Sequence, residues 1–136
     1  MTAYISISYS KRKFLQKELD AIIDALKTCS IFPFVFVDNF SFSPFQENEM
    51  MQQAFAAIDK CDLLIAETSD KAIGIGIEVG YAKAKNKPIL YLRNENAEHS
   101  TTVSGASDFK IIYCDADDLK KQLAGIMTTL FTGSKT

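Results

Sequence analysis

Apolar residues recur along this chain in two alternating rhythms. Short runs of β-branched, aromatic and aliphatic residues have the length and composition of strands: AYISISY (3–9), FPFVFVD (32–38), DLLIAET (62–68), KPILYLR (87–93) and FKIIYCD (109–115). Between them the apolar positions fall three and four apart, the spacing of a helix with one buried face. Leu15, Leu19, Ile22, Ile23 and Leu26 predict a helix over 12–28, and Met51, Ala54, Phe55 and Ile58 one over 46–59. Ile75, Val79 and Ala82 form the inner face of a third over 75–85, and Leu119, Leu123, Ile126, Met127 and Leu130 that of a last one from 117. Pro33 cannot donate to a ladder, which pushes its strand toward a sheet edge or makes it a strand start. NFSFSPFQ (39–46) reads as a loop.

Strands alternating with helices call for a parallel sheet covered on both faces. The expected fold is α/β, a flavodoxin-like or Rossmann-like doubly wound sheet of five parallel strands in the order 2-1-3-4-5. One domain over 1–131 and a frayed tail at 132–136 account for the 136 residues. Ligands of such sheets bind beyond the carboxyl ends of the strands at the switch point, here between strands 1 and 3. The loops after AYISISY and DLLIAET meet there.

Composition narrows the classes of function. With 47% hydrophobic and 24% charged residues the chain is that of a globular protein. A net charge of −2 and a pI near 5.4 give no basic field for nucleic acid or anionic membrane. The apolar runs are strand-sized, short of the roughly 20 residues of a membrane helix. In MTAYISISYSKRK the basic residues follow the apolar run, the reverse of a secretory signal. Cys29, Cys61 and Cys114 lack metal-ligand spacing and two of them flank strands, so buried free thiols in a reducing cytoplasm are expected.

Candidate chemistry concentrates in GIGIEVGYA, where Glu78 stands among small and apolar neighbours. The stretch departs from a dinucleotide-binding loop, since Val79 stands where the third glycine belongs and the third strand precedes it, not the first. Gly74 and Gly76 instead let backbone approach a ligand and let the helix pack closely on the sheet. Glu78 reads either as an acid pointing into the switch-point crevice or as a first-turn residue stabilised by the helix dipole. The loop SYSKR offers Ser8, Ser10, Lys11 and Arg12 at a helix start, the makings of a phosphate site or an ordinary capped helix. In DNFSFSPF, Phe40, Phe42 and Phe45 either pack under the sheet edge, the reading preferred here, or wall a nucleobase pocket. His99 has no second histidine or nearby cysteine with which to form a triad or a metal site.

CDLLIAETSDKAIGIGIEVGYAKAKNKPILYL resembles the core of the nucleoside 2-deoxyribosyltransferase superfamily, most closely its hydrolytic branch, the 2'-deoxynucleoside 5'-phosphate N-hydrolases. The similarity takes in the strand 1 loop, this central block and HSTTVSGA after strand 4. The resemblance implies that Glu78 is the catalytic carboxylate attacking the anomeric carbon, with Tyr4 beside it. It implies that Ser8 binds phosphate; Ser10, Lys11, Arg12, Gly74 and Gly76 join the expected substrate site from the reading of the two loops themselves. It further implies a homodimer in which Ser100, on an exposed ordered loop, reaches the phosphate in the neighbouring subunit. The function implied is hydrolysis of a 2'-deoxynucleoside 5'-monophosphate to free base and 2-deoxyribose 5-phosphate, in the cytoplasm, without cofactor or metal.

Two positions depart from the family pattern. Ala54 stands where the family carries a catalytic aspartate, and Ala72 where it carries a phosphate-binding serine; Asp59, Glu49 and Glu47 are nearby acids, none of which aligns without a gap. The alternatives are therefore a transferase passing deoxyribose between bases and a catalytically degenerate nucleotide sensor. ISISYSKRKF is also similar to the first box of Toll/interleukin-1 receptor domains, some of which hydrolyse NAD with a single glutamate.

Overall fold

A computed structural model describes residues 1–39 and 41–131; Phe40 and the expected frayed tail 132–136 lie outside the described residues. Five strands form one parallel sheet: β1 (Thr2–Ser6), β2 (Phe32–Val35), β3 (Leu63–Glu67), β4 (Ile89–Asn94) and β5 (Phe109–Tyr113). Their order is β2-β1-β3-β4-β5, the doubly wound order the alternation predicts, with Pro33 on an edge strand. The helices are α1 (Gln16–Thr28), a short α2 (Phe36–Asn39), α3 (Glu47–Lys60), α4 (Ile73–Ala84), α5 (Thr101–Ala106) and α6 (Ala116–Phe131).

Strand alternation sorts the core into two layers. Ala3, Ile5, Leu63, Ile65, Leu90 and Leu92 face α1 and α6, where Leu19, Ile22, Leu26, Leu119, Leu123 and Met127 are fully enclosed. Tyr4, Leu64, Ala66, Ile89 and Tyr91 face the other way, onto Ala54 and Ile58 of α3, Val79 and Ala82 of α4 and Val103 of α5. Each fully buried aliphatic side chain contributes about 1.5–3 kcal/mol. Residues of β1 at even positions thus lie under α3 and α4, which puts Tyr4 and Ser6 where the second helix layer closes on the sheet.

Several boundaries differ from the sequence expectation, each for a local reason. β1 stops at Ser6, and Arg12–Leu15 forms a 3-10 turn ahead of α1, with Arg12 at its start paired to Asp38. The apolar run of strand 2 continues past Val35, yet the chain turns helical at Phe36, whose ring packs on Tyr4 and Phe42. HSTTVSGA is not an exposed loop: α5 forms there, burying Val103 and Ser104, with Ser100 only 9% exposed. Cys61 is buried, which pushes its thiol up to about 11, and Cys29 is half-buried, but Cys114 is exposed beyond the end of β5, against the expectation of enclosed thiols. No helix among the described residues is long and apolar enough to cross a membrane.

Candidate active site

The carboxylate of Glu78 sits against the carboxyl end of β1. Glu78 is in the second turn of α4, not the first, so the dipole reading of a first-turn acid does not apply; the first turn of α4 holds no acid. The side chain instead reaches the sheet, where Ser6 donates its hydroxyl to Oε1 at 2.6 Å and the Tyr4 hydroxyl donates to Oε2. Both oxygens are therefore fixed, and the carboxyl plane is oriented by two residues of one strand face. Burial pushes the Glu78 carboxyl above its ordinary range, opposed by the hydrogen bonds from Ser6 and then Tyr4, which favour the charged form. The Tyr4 hydroxyl is pushed far up, by burial first and by the Glu78 charge second, so it stays a donor. Ser6 was not singled out from the sequence, although it follows Tyr4 by the two residues that place both on one face of a strand.

Glu78 opens onto a cavity of about 300 Å³. Phe36, Phe42, Met50, Met51 and Ile75 give it an apolar wall, and Phe36 stacks on Phe42 with centroids 6.2 Å apart. Of the phenylalanines in DNFSFSPF, Phe42 both packs against the core beside Phe36 and walls the cavity, while Phe45 is 96% exposed and does not pack as expected. Ala54 and Ala72 line the same cavity, at the positions where a second carboxylate and a further serine are expected from the resemblance. Asp59 lies elsewhere, accepting from the Tyr81 hydroxyl at 2.9 Å. Among the described residues Glu78 is the one carboxylate lining this space.

The SYSKR loop borders the cavity through Tyr9, with Ile7 just before it, and two of its polar side chains, Ser8 and Arg12, have carboxylate partners. Ser8 is buried and donates to Asp70 Oδ2 at 2.6 Å. Arg12 makes a two-pronged pair with Asp38, at 2.8 and 2.7 Å. Lys11 lies over the Phe14 ring, and the exposed Ser10 hydroxyl is 3.4 Å from that of Ser8. Asp70 carried no signal in the sequence, because its partner is 62 residues away.

Gly74 lines the Glu78 cavity, and Gly76 lines a second one of about 270 Å³ between the starts of α4 and α5. A methyl group added to either glycine would meet nothing within 4 Å, so close packing of α4 on the sheet is not what these glycines serve. Ser100 lines that second cavity with Thr68, Lys71 and Thr102, and Ala72 and Ile75 line both cavities. Its amide donates to the Tyr91 hydroxyl at 3.0 Å, which also lies 3.3 Å from His99 Nδ1.

An apolar cavity beside a glutamate pinned at the switch point of a doubly wound sheet lies where α/β domains of this kind place their ligands. The sequence model of the nucleoside 2-deoxyribosyltransferase family matches residues 8–128, and the chain belongs to that family. A Syntrophotalea carbinolica protein described as a candidate 2'-deoxynucleoside 5'-phosphate N-hydrolase is 37% identical over 73 residues, and a Thermofilum pendens protein of the same description 26% over 84. These matches take in 54% and 58% of this chain and span 51% and 59% of the relatives' own length. In fold, the chain is similar to a CMP N-glycosidase from Clostridium botulinum (TM-score 0.68, 20% identity, 90% of this chain and 98% of that one). It is equally similar to a 2-deoxyribosyltransferase from Bacillus psychrosaccharolyticus (TM-score 0.68, 14% identity, 90% and 96%).

Proposed function

We propose that the chain cleaves the N-glycosidic bond of a 2'-deoxynucleoside 5'-monophosphate or of the corresponding nucleoside, with water as the acceptor. The observation that carries this reading is the carboxylate of Glu78, held on both oxygens by Tyr4 and Ser6 and facing the apolar cavity. The base lies in that cavity, and the anomeric carbon lies against Glu78. As the carbon–nitrogen bond breaks, its electron pair leaves with the base, which takes up a proton. The positive charge left on the sugar is stabilised by Glu78 or trapped as an ester, much as in retaining glycosidases. Water then adds to the anomeric carbon and frees the carboxylate. This chemistry draws on no metal or organic cofactor.

The descriptions of the two curated relatives support the monophosphate and hydrolysis. The bond between Ser8 and Asp70 favours the second reading, a nucleoside substrate as in the deoxyribosyltransferases. A third reading, a nucleotide sensor without turnover, rests on Ala54 and Ala72 in the cavity wall. We take the working form as a homodimer with shared sites, supported by the family resemblance and by Ile73 and Ile77, exposed one turn apart on α4, with Ile73 lining the second cavity. The decisive experiment incubates the protein with deoxynucleosides and their monophosphates, with and without a second free base, and follows products by chromatography. Free base with 2-deoxyribose or its 5-phosphate supports the hydrolase, and an exchanged base supports the transferase. No base released from any member of the panel sinks both enzymatic readings.

A further inference from the structure

A neutral purine or pyrimidine leaves a sugar as an anion unless a proton reaches it as the bond breaks. A positioned acid that supplies this proton typically contributes about a hundredfold or more. The lining of the Glu78 cavity offers no such acid. Among the described residues it has one carboxylate, Glu78, and no histidine, cysteine, lysine or arginine. Ala54 gives the wall a methyl group at the position where the resemblance places an aspartate. The hydroxyls of Tyr4 and Ser6 have one hydrogen each, and both go to Glu78. Tyr9, 78% exposed, and Ser41 bring the other hydroxyls of the lining, and a phenol or an alcohol is a poor acid at neutral pH. Glu78 cannot supply the proton while it stands charged against the anomeric carbon.

The same lining has a sign. Its one charged side chain is negative, and Lys71, on the neighbouring cavity, is paired with Glu98 at 3.0 Å. A positively charged ligand is therefore complementary to the cavity. Phe36 and Phe42 suit a flat, delocalised cation, because aromatic faces attract one, and Met50, Met51 and Ile75 cover the rest of a broad ring.

We infer that the cavity takes a 2'-deoxynucleoside, or its monophosphate, whose base is an aromatic cation with its charge fixed by alkylation of a ring nitrogen. The inference rests on the N-glycosidase reading and names the class of base. As the bond between the anomeric carbon and the base nitrogen breaks, its electron pair cancels the positive charge of the ring. The base leaves neutral and takes up no proton. Water adds to the anomeric carbon and gives its surplus proton to solvent.

The test compares kcat/KM for 2'-deoxyguanosine and 7-methyl-2'-deoxyguanosine, each with and without a 5'-phosphate, after subtracting spontaneous base loss. The wild type should favour the methylated compound at least about a hundredfold. A smaller preference means that the cavity supplies a proton of its own, and it overturns the inference while leaving the N-glycosidase reading intact. Ala54→Asp puts an acid into the wall and should cut the preference at least about tenfold by raising the rate on the parent compound. A folded Ala54→Asp that leaves the preference where it was overturns the inference too; if circular dichroism shows that the variant does not fold, the wild-type preference alone decides. Should neither compound release its base, the N-glycosidase reading fails on its own, and calorimetry with the wild type decides the point. Tighter binding of the methylated compound supports a cavity for cationic bases, and equal binding, or none, rejects it.

Discussion

On the proposed function the charge state of Glu78 decides whether it can act, and burial together with Ser6 and Tyr4 decides the pH at which that charge appears. Replacing it by glutamine keeps the shape and removes the charge that the departing base demands. Glu78→Gln should lower turnover at least about a hundredfold with the fold unchanged, as followed by base release and circular dichroism. Activity within a few-fold of wild type would mean that Glu78 is a structural acid. The pH profile offers a finer reading. Burial raises the Glu78 carboxyl and the donors Ser6 and Tyr4 lower it, so kcat/KM should climb with pH through a value above the ordinary carboxylate range. Removing a donor destabilises the charged form, so in Tyr4→Phe or Ser6→Ala the acid limb should move to higher pH, by about one unit. A limb that stays put, or moves to lower pH, would place Glu78 outside the titration that limits the rate.

Between the strand ends a second buried carboxylate does structural work. Glu67 closes β3 and accepts from the Tyr113 hydroxyl of β5 at 2.7 Å and from the Ser69 amide at 2.6 Å, while Ser69 Oγ accepts from the Asn94 amide of β4 at 2.9 Å. One network thus ties three strands at the edge from which the loop carrying Asp70 departs. Burial is the main cause pushing the Glu67 carboxyl up, and Tyr113 and Ser69 draw it back. Tyr113→Phe should cost about 1–3 kcal/mol in denaturant unfolding. The loss should be largest where Glu67 is charged and shrink as pH falls and the carboxyl takes up a proton; a pH-independent loss would point to packing alone. Much at this scale was legible in the sequence. Alternation between periods of two and about three and a half gives the five strands, their order and the inner faces of α1, α4 and α6. The turn at Phe36 was not legible, because an apolar run looks the same whether it extends a strand or folds back to wall a cavity. Nor was α5 legible, since six residues rich in threonine and glycine carry almost no period. In the site, Glu78 and Tyr4 were read correctly as neighbours through resemblance, and Ser6 was available from the period of a strand. Asp70 depends on a contact between loops that no local pattern announces.

For the molecule as a whole, the exposed isoleucines of α4 give the proposed dimer a definite test. Light scattering should return twice the 15.1 kDa of the chain, and Ile73→Asp with Ile77→Asp should return the single-chain mass with the fold retained. A wild type of single-chain mass removes the shared site. The strand order has a consequence of another kind, for biosynthesis. Because β1 lies between β2 and β3, an interior strand is made first and its neighbour toward the sheet centre comes only after two crossovers. Tyr4 and Ser6 stand 74 and 72 residues ahead of the glutamate they hold. During synthesis these hydroxyls leave the ribosome long before their partner exists, and the carboxylate emerges into a scaffold whose other half is already outside. The carboxylate is thus set in place only when more than half of the chain has been made, and on the proposed function any nascent chain that stops before α4 is an inert one.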